Sequence, residues 1–266
     1  MGAQRTVGHT LSADGTRIGW RQLGRGPALV IVHGWLATGQ EWYPVAEDLA
    51  ADHTVLLVDR RGRGLSGDGP EYCLAAEVAD LHAVLAHAGP GAALLGHSYG
   101  GICAAATASA GADIAALVLY EPPLPVNGPW DDTALPRIGK ALDAGDTELA
   151  LTLILTEAMG AAGLAEKLRG TPLWTAMAGV APTFEREFRA TNALVGRLGP
   201  YMTIPRRTNL LVGSETIQRQ KDATTFLLGS LPHARFTELP GEAHHAHLNS
   251  PHAVSQAVRS LLHCFA

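Results

Sequence analysis

Alternating and continuous runs of apolar residues organise most of this chain. Residues 6–11 and 16–23 alternate between apolar and polar positions around the turn at 12–15, which predicts an antiparallel hairpin. From residue 28 onward, continuous apolar runs alternate with amphipathic segments, the pattern of parallel strands with helices on both faces. The predicted strands lie near residues 28–33, 54–59, 92–97 and 114–120, and the predicted helices near 40–51, 74–88 and 100–110.

This rhythm is interrupted over residues 122–206, which begin with a Pro-Pro-Leu-Pro sequence and have helical periodicity throughout. Gly145 followed by Asp146 indicates that one helix ends and another is capped. The strand and helix pattern then resumes, with strands near 208–213 and 234–239 and helices near 217–230 and 250–264. We therefore predict an α/β core formed by residues 1–121 and 207–266, with a helical insertion over 122–206 as a cap.

Composition narrows the classes of protein that this chain can be. Its 266 residues suffice for one large α/β domain with a sizeable core, and 47% hydrophobic with 17% charged residues suits a globular enzyme. The net charge of −5, with scattered basic residues, gives no electrostatic basis for binding nucleic acid or an anionic membrane. The basic run at 60–63 is too short to be such a patch, and no apolar run approaches the ~18 residues of a membrane span.

The cysteines and the first residues bear on cellular location. Cys73, Cys103 and Cys264 lie far apart and match neither a disulfide framework nor a zinc-site spacing. Cys103 falls in an alanine-rich segment, where we expect a small core residue. The first residues contain no apolar secretion signal, so we expect a soluble cytoplasmic protein. No apolar repeat marks a self-association surface, and the oligomeric state stays open.

The strongest chemical signal is Gly96-His97-Ser98-Tyr99-Gly100, which follows an apolar run and precedes a helical segment. This G-x-S-x-G pattern is typical of a nucleophile elbow, where a strand turns sharply into a helix with the serine at the apex. Glycines at both ends are needed because side chains there would collide with the neighbouring strand and helix. The N-terminus of the helix would stabilise negative charge developing near Ser98.

Three further segments follow predicted strands, in a definite order. They are His33-Gly34-Trp35, the glycine-rich sequence from Asp59 to Gly67, and Pro240-Gly241-Glu242-Ala243-His244-His245. Together with the serine motif, they make nearly the whole chain resemble the α/β-hydrolase superfamily. The resemblance implies a mostly parallel sheet with helices on both faces and an inserted helical cap. It is specific to this fold and much less specific to one reaction.

A serine nucleophile needs a base to remove its proton. In the family, that base is a histidine in the loop after the last strand, preceded by a glycine, one residue and a small residue. Gly241-Glu242-Ala243-His244 matches this pattern, which makes His244 the expected base, with His245 as the alternative. A metal site formed by Glu242 and the nearby histidines is a weaker interpretation, because it lacks a partner motif elsewhere and a serine nucleophile needs no metal.

The third member of the triad must be a buried carboxylate that orients the histidine. The common family position, a few residues past the glycine that ends strand 208–213, falls here on Thr216, which cannot hold a charge. Glu215 is one residue away. Glu121, at the end of the strand after the nucleophile helix, resembles the acid of zearalenone-type lactonases. We favour Glu121 over Glu215, and a structural contact to the cap is the alternative reason for a glutamate at position 121.

The resemblance also implies an oxyanion hole formed by the backbone N–H groups of Trp35 and Tyr99, each worth on the order of 3 kcal/mol in the transition state. A G-x-G-x-x-G pattern at 62–67 is similar to a dinucleotide-binding turn. However, Asp68-Gly69-Pro70 separates it from the next helix, so no helix N-terminus lies beneath a pyrophosphate. We therefore expect no cofactor and no metal.

These residues lead to a cofactor-independent serine hydrolase that cleaves a carboxylic ester or lactone, with a small apolar substrate held beneath the cap. Thioester or carbon–carbon bond hydrolysis uses the same residues and stays open. So does a protein of the same fold that binds a small molecule, or assists its cyclisation, without hydrolysing it. The sequence does not identify the natural substrate.

Overall fold

A computed structural model describes residues 5–204 and 207–263 of the chain. The strands are β1 Thr6–Leu11, β2 Arg17–Leu23, β3 Ala28–Val32, β4 Thr54–Val58, β5 Ala93–His97, β6 Ala116–Tyr120, β7 Thr208–Gly213 and β8 Arg235–Leu239. Within the described residues they form one eight-stranded sheet in the order β1-β2-β4-β3-β5-β6-β7-β8. Strand β2 is antiparallel to both β1 and β4, and every later pair is parallel. The predicted hairpin and the α/β-hydrolase fold are confirmed.

The central parallel strands, β3 to β6, are nearly continuous apolar runs because both of their faces are covered, whereas the edge strand β8 is largely exposed. In β3, Val30 and Val32 belong to one buried cluster, whereas Leu29 and Ile31 belong to the other. This alternation follows from the period of two residues in a strand. A strand buried on both faces therefore needs apolar residues at every position.

Helices cover both faces of the sheet. Outside the insertion they are α1 Tyr43–Leu49, α2 Leu74–Ala88, α3 Tyr99–Ser109, α9 Gln218–Ser230, α10 Ala246–Asn249 and α11 Pro251–His263. Helices α2, α3 and α9 pack on one face, while α1 and α11 pack on the other. The predicted helix over 40–51 begins as a 3-10 turn, Gly39–Trp42, and becomes α-helical at Tyr43. Pro44, which lacks an N–H, lies in the first turn of α1, where helix N–H groups have no intrahelical partner.

The segment between β6 and β7 is helical, as the periodicity predicts. Its α-helices are α4 Leu135–Asp143, α5 Thr147–Leu153, α6 Ala162–Leu168, α7 Pro172–Val180 and α8 Phe184–Asn192. Gly145 has a φ of 75° between α4 and α5, and the side chain of Asp146 accepts a hydrogen bond from the N–H of Leu149. The predicted end of one helix at Gly145 and the capping of the next helix by Asp146 are therefore confirmed. Residues 205 and 206, at the predicted end of the insertion, lie outside the described residues.

The remaining sequence predictions concern the cysteines and the presence of membrane-spanning segments. Cys103 is fully buried in α3, as expected of a small core residue, and Cys73 is exposed. Cys264 lies outside the described residues. In the part of the chain that is described, no helix has the length and apolar character needed to cross a bilayer.

Candidate active site

Ser98 lies at the turn between β5 and α3, with a φ of 54° and a ψ of −127°. A non-glycine residue in this region is strained, and its neighbours hold it there. The N–H of Ser98 donates to the carbonyl of Tyr120 at 2.9 Å. A Cβ at Gly96 would come within 2.3 Å of the carbonyl oxygen of Gly100, and a Cβ at Gly100 within 2.3 Å of that of Val32. The close approach of strand and helix therefore requires both glycines of the motif.

His244 lies in the loop after β8, and its side chain is 19% exposed. Its Nδ1 is 2.6 Å from Oε2 of Glu121, so this nitrogen carries the proton that the carboxylate accepts. The bond fixes the tautomer of the ring and leaves Nε2 available as a base. The structure thus brings together the histidine and the carboxylate favoured by the sequence.

Glu121 is fully buried at the end of β6, with a φ of 48°. Besides His244, its carboxylate accepts the N–H of Gly213 at 2.8 Å and the hydroxyl proton of Thr216 at 2.7 Å. A buried carboxylate needs such partners, because leaving it unpaired is costly. Glu215 is exposed and accepts a hydrogen bond from the Ser214 hydroxyl. Thr216, at the common family position of the acid, therefore serves here as a donor to a carboxylate from the neighbouring strand.

The loop after β3 passes directly over Ser98. A Cβ at Gly34 would lie 2.8 Å from Cβ and 3.2 Å from Oγ of that serine. The next residue along the loop is Trp35, whose ring stacks on that of Tyr99 with centroids 5.9 Å apart. Tyr99 is the first residue of α3, where backbone N–H groups have no intrahelical acceptor. Both predicted oxyanion donors therefore belong to segments that meet at Ser98.

Among residues 5–204 and 207–263, Ser98 Oγ and His244 Nε2 have no hydrogen-bond partner, including each other. His97, the residue before Ser98, lies against His244 with ring centroids 4.6 Å apart. Catalytic hydrogen bonds often tighten only when substrate binds. The segments that carry the serine and the histidine therefore lie side by side, and no described residue engages either of the two polar atoms.

Aromatic side chains form a wall beside the serine. Trp35 contacts Trp130 at 5.2 Å, Phe184 at 5.5 Å and Phe188 at 5.9 Å between ring centroids. The last three residues come from the insertion and are buried. The indole N–H groups of Trp35 and Trp130 have no acceptor among the described residues. The wall is therefore apolar apart from the buried indole N–H groups of Trp35 and Trp130.

Three histidines lie around His244: His97 and His247 are buried, and His245 is partly buried. The sequence did not reveal their contacts. His97 Nε2 donates to the carbonyl of His244 at 2.9 Å. The hydroxyl of Tyr120 donates to the carbonyl of Ala243 at 2.8 Å and accepts the N–H of Ala246 at 3.2 Å. The backbone of His244 is therefore held from both sides. A histidine directly before the serine was the available signal, but its partner lies 147 residues away.

Burial favours the neutral form of the three histidines around His244. It lowers the pKa of His245 to about 3, with a smaller contribution from His244, and it holds the pKa values of His97 and His247 well below their ordinary value. His245, the alternative base, has no carboxylate partner within the described residues. No group of three or more His, Cys, Asp or Glu side chains in that part of the chain is arranged to hold a metal ion.

The arginines at 60–63 are buried instead of forming a surface patch. Arg60, Arg61 and Arg63 are 1%, 0% and 4% exposed. Arg61 pairs with Asp80 through Nε and Nη2, while Arg60 and Arg63 both pair with Glu187 of α8. The sequence did not predict these pairs, because the partners are far apart along the chain.

Comparisons with known proteins agree with this architecture. A model of the alpha/beta hydrolase family matches residues 29–257. N-formylmaleamate deformylase from Pseudomonas putida is 40% identical over 128 residues, which are 46% of this chain and 47% of that protein. A pimeloyl-acyl-carrier-protein methyl ester esterase from Vibrio parahaemolyticus is 39% identical over 89 residues, 34% of each chain. The chain thus aligns with between one third and one half of the length of these relatives.

A solved structure is similar over nearly the full length. An alpha/beta hydrolase from Sphaerobacter thermophilus superposes with a TM-score of 0.83 at 29% identity, covering 96% of this chain and 99% of that one. The likeness therefore includes the insertion as well as the sheet.

Proposed function

Because the chain belongs to the alpha/beta hydrolase family and is a hydrolase, we propose that it is a cofactor-independent serine hydrolase of carboxylic esters or lactones. The observation that carries the proposal is the 2.6 Å hydrogen bond between His244 and the buried carboxylate of Glu121, beside a serine in an elbow conformation. Nucleophile, base and orienting acid are the parts that acyl transfer through a serine requires.

In the first half of the reaction, Ser98 Oγ attacks the carbonyl carbon of the substrate. Nε2 of His244 takes the hydroxyl proton, and Glu121 stabilises the resulting imidazolium. The carbonyl oxygen becomes an oxyanion, which the backbone N–H groups of Trp35 and Tyr99 bind. The intermediate then collapses: the bond to the leaving oxygen breaks, and His244 returns the proton to the departing alcohol.

The second half releases the acyl group. Water gives a proton to His244 Nε2 and attacks the acyl carbon, and the same two N–H groups bind the second oxyanion. The acid product leaves when the proton returns to Ser98 Oγ. In a lactone, the alcohol and the acid are parts of one product molecule.

The insertion serves as a cap that shapes the substrate pocket. Phe184, Phe188 and Trp130 reach from it to the ring of Trp35, beside the serine. An apolar acyl or alcohol group fits such a wall, because burying it removes apolar surface from water. The names of the two curated relatives, a methyl ester esterase and a deformylase, support hydrolysis at a carbonyl group.

The test is Ser98→Ala, compared with Ser109→Ala near the end of the same helix. We expect Ser98→Ala to lose hydrolysis of activated esters and lactones by at least roughly 1000-fold while unfolding at the same temperature as wild type. Ser109→Ala keeps both properties, because the Ser109 hydroxyl donates to the carbonyl of Pro200 at the opposite end of α3 from Ser98. Unchanged turnover in Ser98→Ala would rule out the mechanism.

A fluorophosphonate probe separates catalysis from binding alone. We expect rapid covalent labelling of wild type and none of Ser98→Ala, because the probe reacts only with an activated serine. A folded wild-type protein that resists labelling would favour the alternative function, a protein that binds a small molecule without hydrolysing it.

A further inference from the structure

Two buried arginines hold the backbone of the loop that follows β3. Arg60 donates from Nε to the carbonyl of His33 at 3.1 Å and from Nη2 to the carbonyl of Gly34 at 2.9 Å. Arg63 donates from Nη1 to the carbonyl of Ala37 at 3.4 Å. Guanidinium groups thus fix two carbonyls before Trp35 and one carbonyl after it.

The ring of His33 adds to the same arrangement. Its Nε2 accepts the backbone N–H of Arg60 at 3.2 Å, so its Nδ1 carries the proton that is donated to the carbonyl of Gly34 at 2.9 Å. Arg60 also lies over the ring of Tyr99, with its guanidinium carbon 4.8 Å from the centroid. Arg60 therefore contacts the segments of both oxyanion donors.

A carboxylate from the insertion holds both arginines. Glu187 of α8 is fully buried and accepts hydrogen bonds from Arg60 at 2.9 Å and 3.1 Å, and from Arg63. Glu77 of α2 is the second carboxylate and accepts from Arg60 at 2.7 Å. Two buried positive charges are thus balanced by two buried negative charges.

Removing the charge of Glu187 would leave two buried cations against one carboxylate. An uncompensated buried charge is costly, and nearby groups move or admit water to relieve it. Arg63 would be the first to move, because Glu187 is its ion-pair partner, whereas Arg60 would retain Glu77. The carbonyls that these arginines hold would then lose their fixed positions.

We propose that Glu187 is a positioning residue for the oxyanion hole: through Arg60 and Arg63 it fixes the loop 33–37 and aims the N–H of Trp35 at the oxyanion. This inference rests on the proposed function, since that function assigns Trp35 its role. Glu187 belongs to the insertion, so the hole is complete only when α8 is seated against the loop after β4. The insertion then contributes to transition-state binding as well as to the pocket wall.

A control variant comes from the neighbouring residue on α8. Arg186 forms an ion pair with Asp68 at 2.8 Å, which also joins the insertion to the segment after β4. This pair is partly exposed and does not contact loop 33–37. Asp68→Asn therefore weakens the attachment of the insertion without disturbing the oxyanion loop.

The experiment compares Glu187→Gln, Glu187→Asp and Asp68→Asn with activated ester substrates. We expect Glu187→Gln to lower kcat by roughly 10- to 100-fold with KM within about threefold, because misplacing an oxyanion donor acts on the transition state. Affinity for a boronic acid that forms a tetrahedral adduct should fall by a similar factor. Glu187→Asp, which keeps the charge, should recover part of the loss, and Asp68→Asn should stay within about twofold of wild type. Unchanged kcat in a folded Glu187→Gln protein would overturn the proposal, as would equal losses in Asp68→Asn.

Amide hydrogen exchange keeps the two proposals distinguishable and does not depend on turnover. We expect exchange over residues 33–37 to be at least tenfold faster in Glu187→Gln than in Asp68→Asn, with Glu187→Asp between them. If Glu187→Gln does not fold, the same comparison is made with Glu187→Asp alone, where wild-type exchange would overturn the link. Retained hydrolysis in Ser98→Ala would instead defeat the proposed function and leave the exchange result standing.

Discussion

Three strained residues lie at the site. Among the described residues, the non-glycine positions with positive φ are Leu36, Ser98 and Glu121, with values of 53°, 54° and 48°. Such conformations cost about 1–3 kcal/mol each and persist only where the surroundings enforce them. Each occurs at a different part of the proposed machinery: the oxyanion loop, the nucleophile and the orienting acid. The strain therefore coincides with the residues that the proposed chemistry uses.

The role of the acid is tested by comparing Glu121→Gln with Glu215→Gln. We expect Glu121→Gln to lower kcat by at least roughly 100-fold, because the amide neither stabilises the imidazolium nor fixes its tautomer. Glu215→Gln should remain within about twofold of wild type, since its side chain is exposed and bonded to Ser214. The measurement is steady-state kinetics at matched unfolding temperature. The opposite ranking would assign the acid to Glu215.

At this scale the sequence predicted which residues of the candidate site lie together, but not all of their partners. The G-x-S-x-G pattern is local, so Ser98 could be read from five adjacent residues. The choice between Glu121 and Glu215 depends on the pairing of β6 with β7, which a local pattern does not contain. Glu187 lies 127 residues from Arg60 along the chain and carried no local signal.

Among the elements, the contact between β5 and α3 sets the position of the nucleophile. The helix begins one residue after Ser98, and its backbone approaches β3 so closely that only glycine fits at position 100. A Cβ there would lie 2.3 Å and 2.5 Å from the carbonyl oxygens of Val32 and His33. Because both obstacles are backbone atoms, no side-chain rotation relieves the clash.

We therefore expect Gly100→Ala to be strongly destabilising and inactive. Forcing a methyl group against backbone typically costs about 1–3 kcal/mol or more, and here it also displaces α3 from the serine. The matched control is Gly179→Ala in α7, where an added Cβ meets nothing within 4 Å. This control should be neutral or more stable by about 0.5–1 kcal/mol. Urea unfolding measures both, and equal stability of the two variants would contradict the clash.

Element prediction succeeded where periodicity and burial agree. The central parallel strands are short and apolar, and the sequence predicted the bounds of every parallel strand to within two residues. The bounds of the separate helices in the insertion could not be predicted as well, because the aromatic and apolar residues there contribute both to helix packing and to the wall beside Trp35. One turn, Ile154–Ala158, is a π-helix, which the pattern did not indicate.

For the whole molecule, burial of histidines makes stability depend on pH. His97, His245 and His247 have pKa values lowered by burial, so the folded chain keeps them neutral where the unfolded chain takes up protons. Below a pH of about 6.5 the unfolded state therefore binds more protons, and the free energy of unfolding falls as pH falls. The stabilisation is present above that pH and is lost on acidification toward the folded-state pKa values.

His245→Gln tests this linkage. With a folded pKa of about 3, His245 alone accounts for a loss of about 2 kcal/mol in unfolding free energy between pH 7.5 and pH 5. We expect the variant to lose about that much less than wild type over the same interval. His9→Gln, at an exposed position on β1, should retain the wild-type slope. Urea unfolding at both pH values supplies the measurement, and identical slopes in all three proteins would refute the assignment.

The shared carboxylate of Glu187 also limits how this protein can diversify. Replacing the insertion by a transplanted segment would be the simplest route to a new substrate range, since the sheet carries the serine, histidine and glutamate of the proposed triad. Any donor segment, however, must supply an anion to Arg60 and Arg63 at the same place. A chimaera whose insertion lacks this anion should regain stability when Arg63 is also replaced by an uncharged residue. Chimaeras that carry this second substitution are therefore the ones to build first.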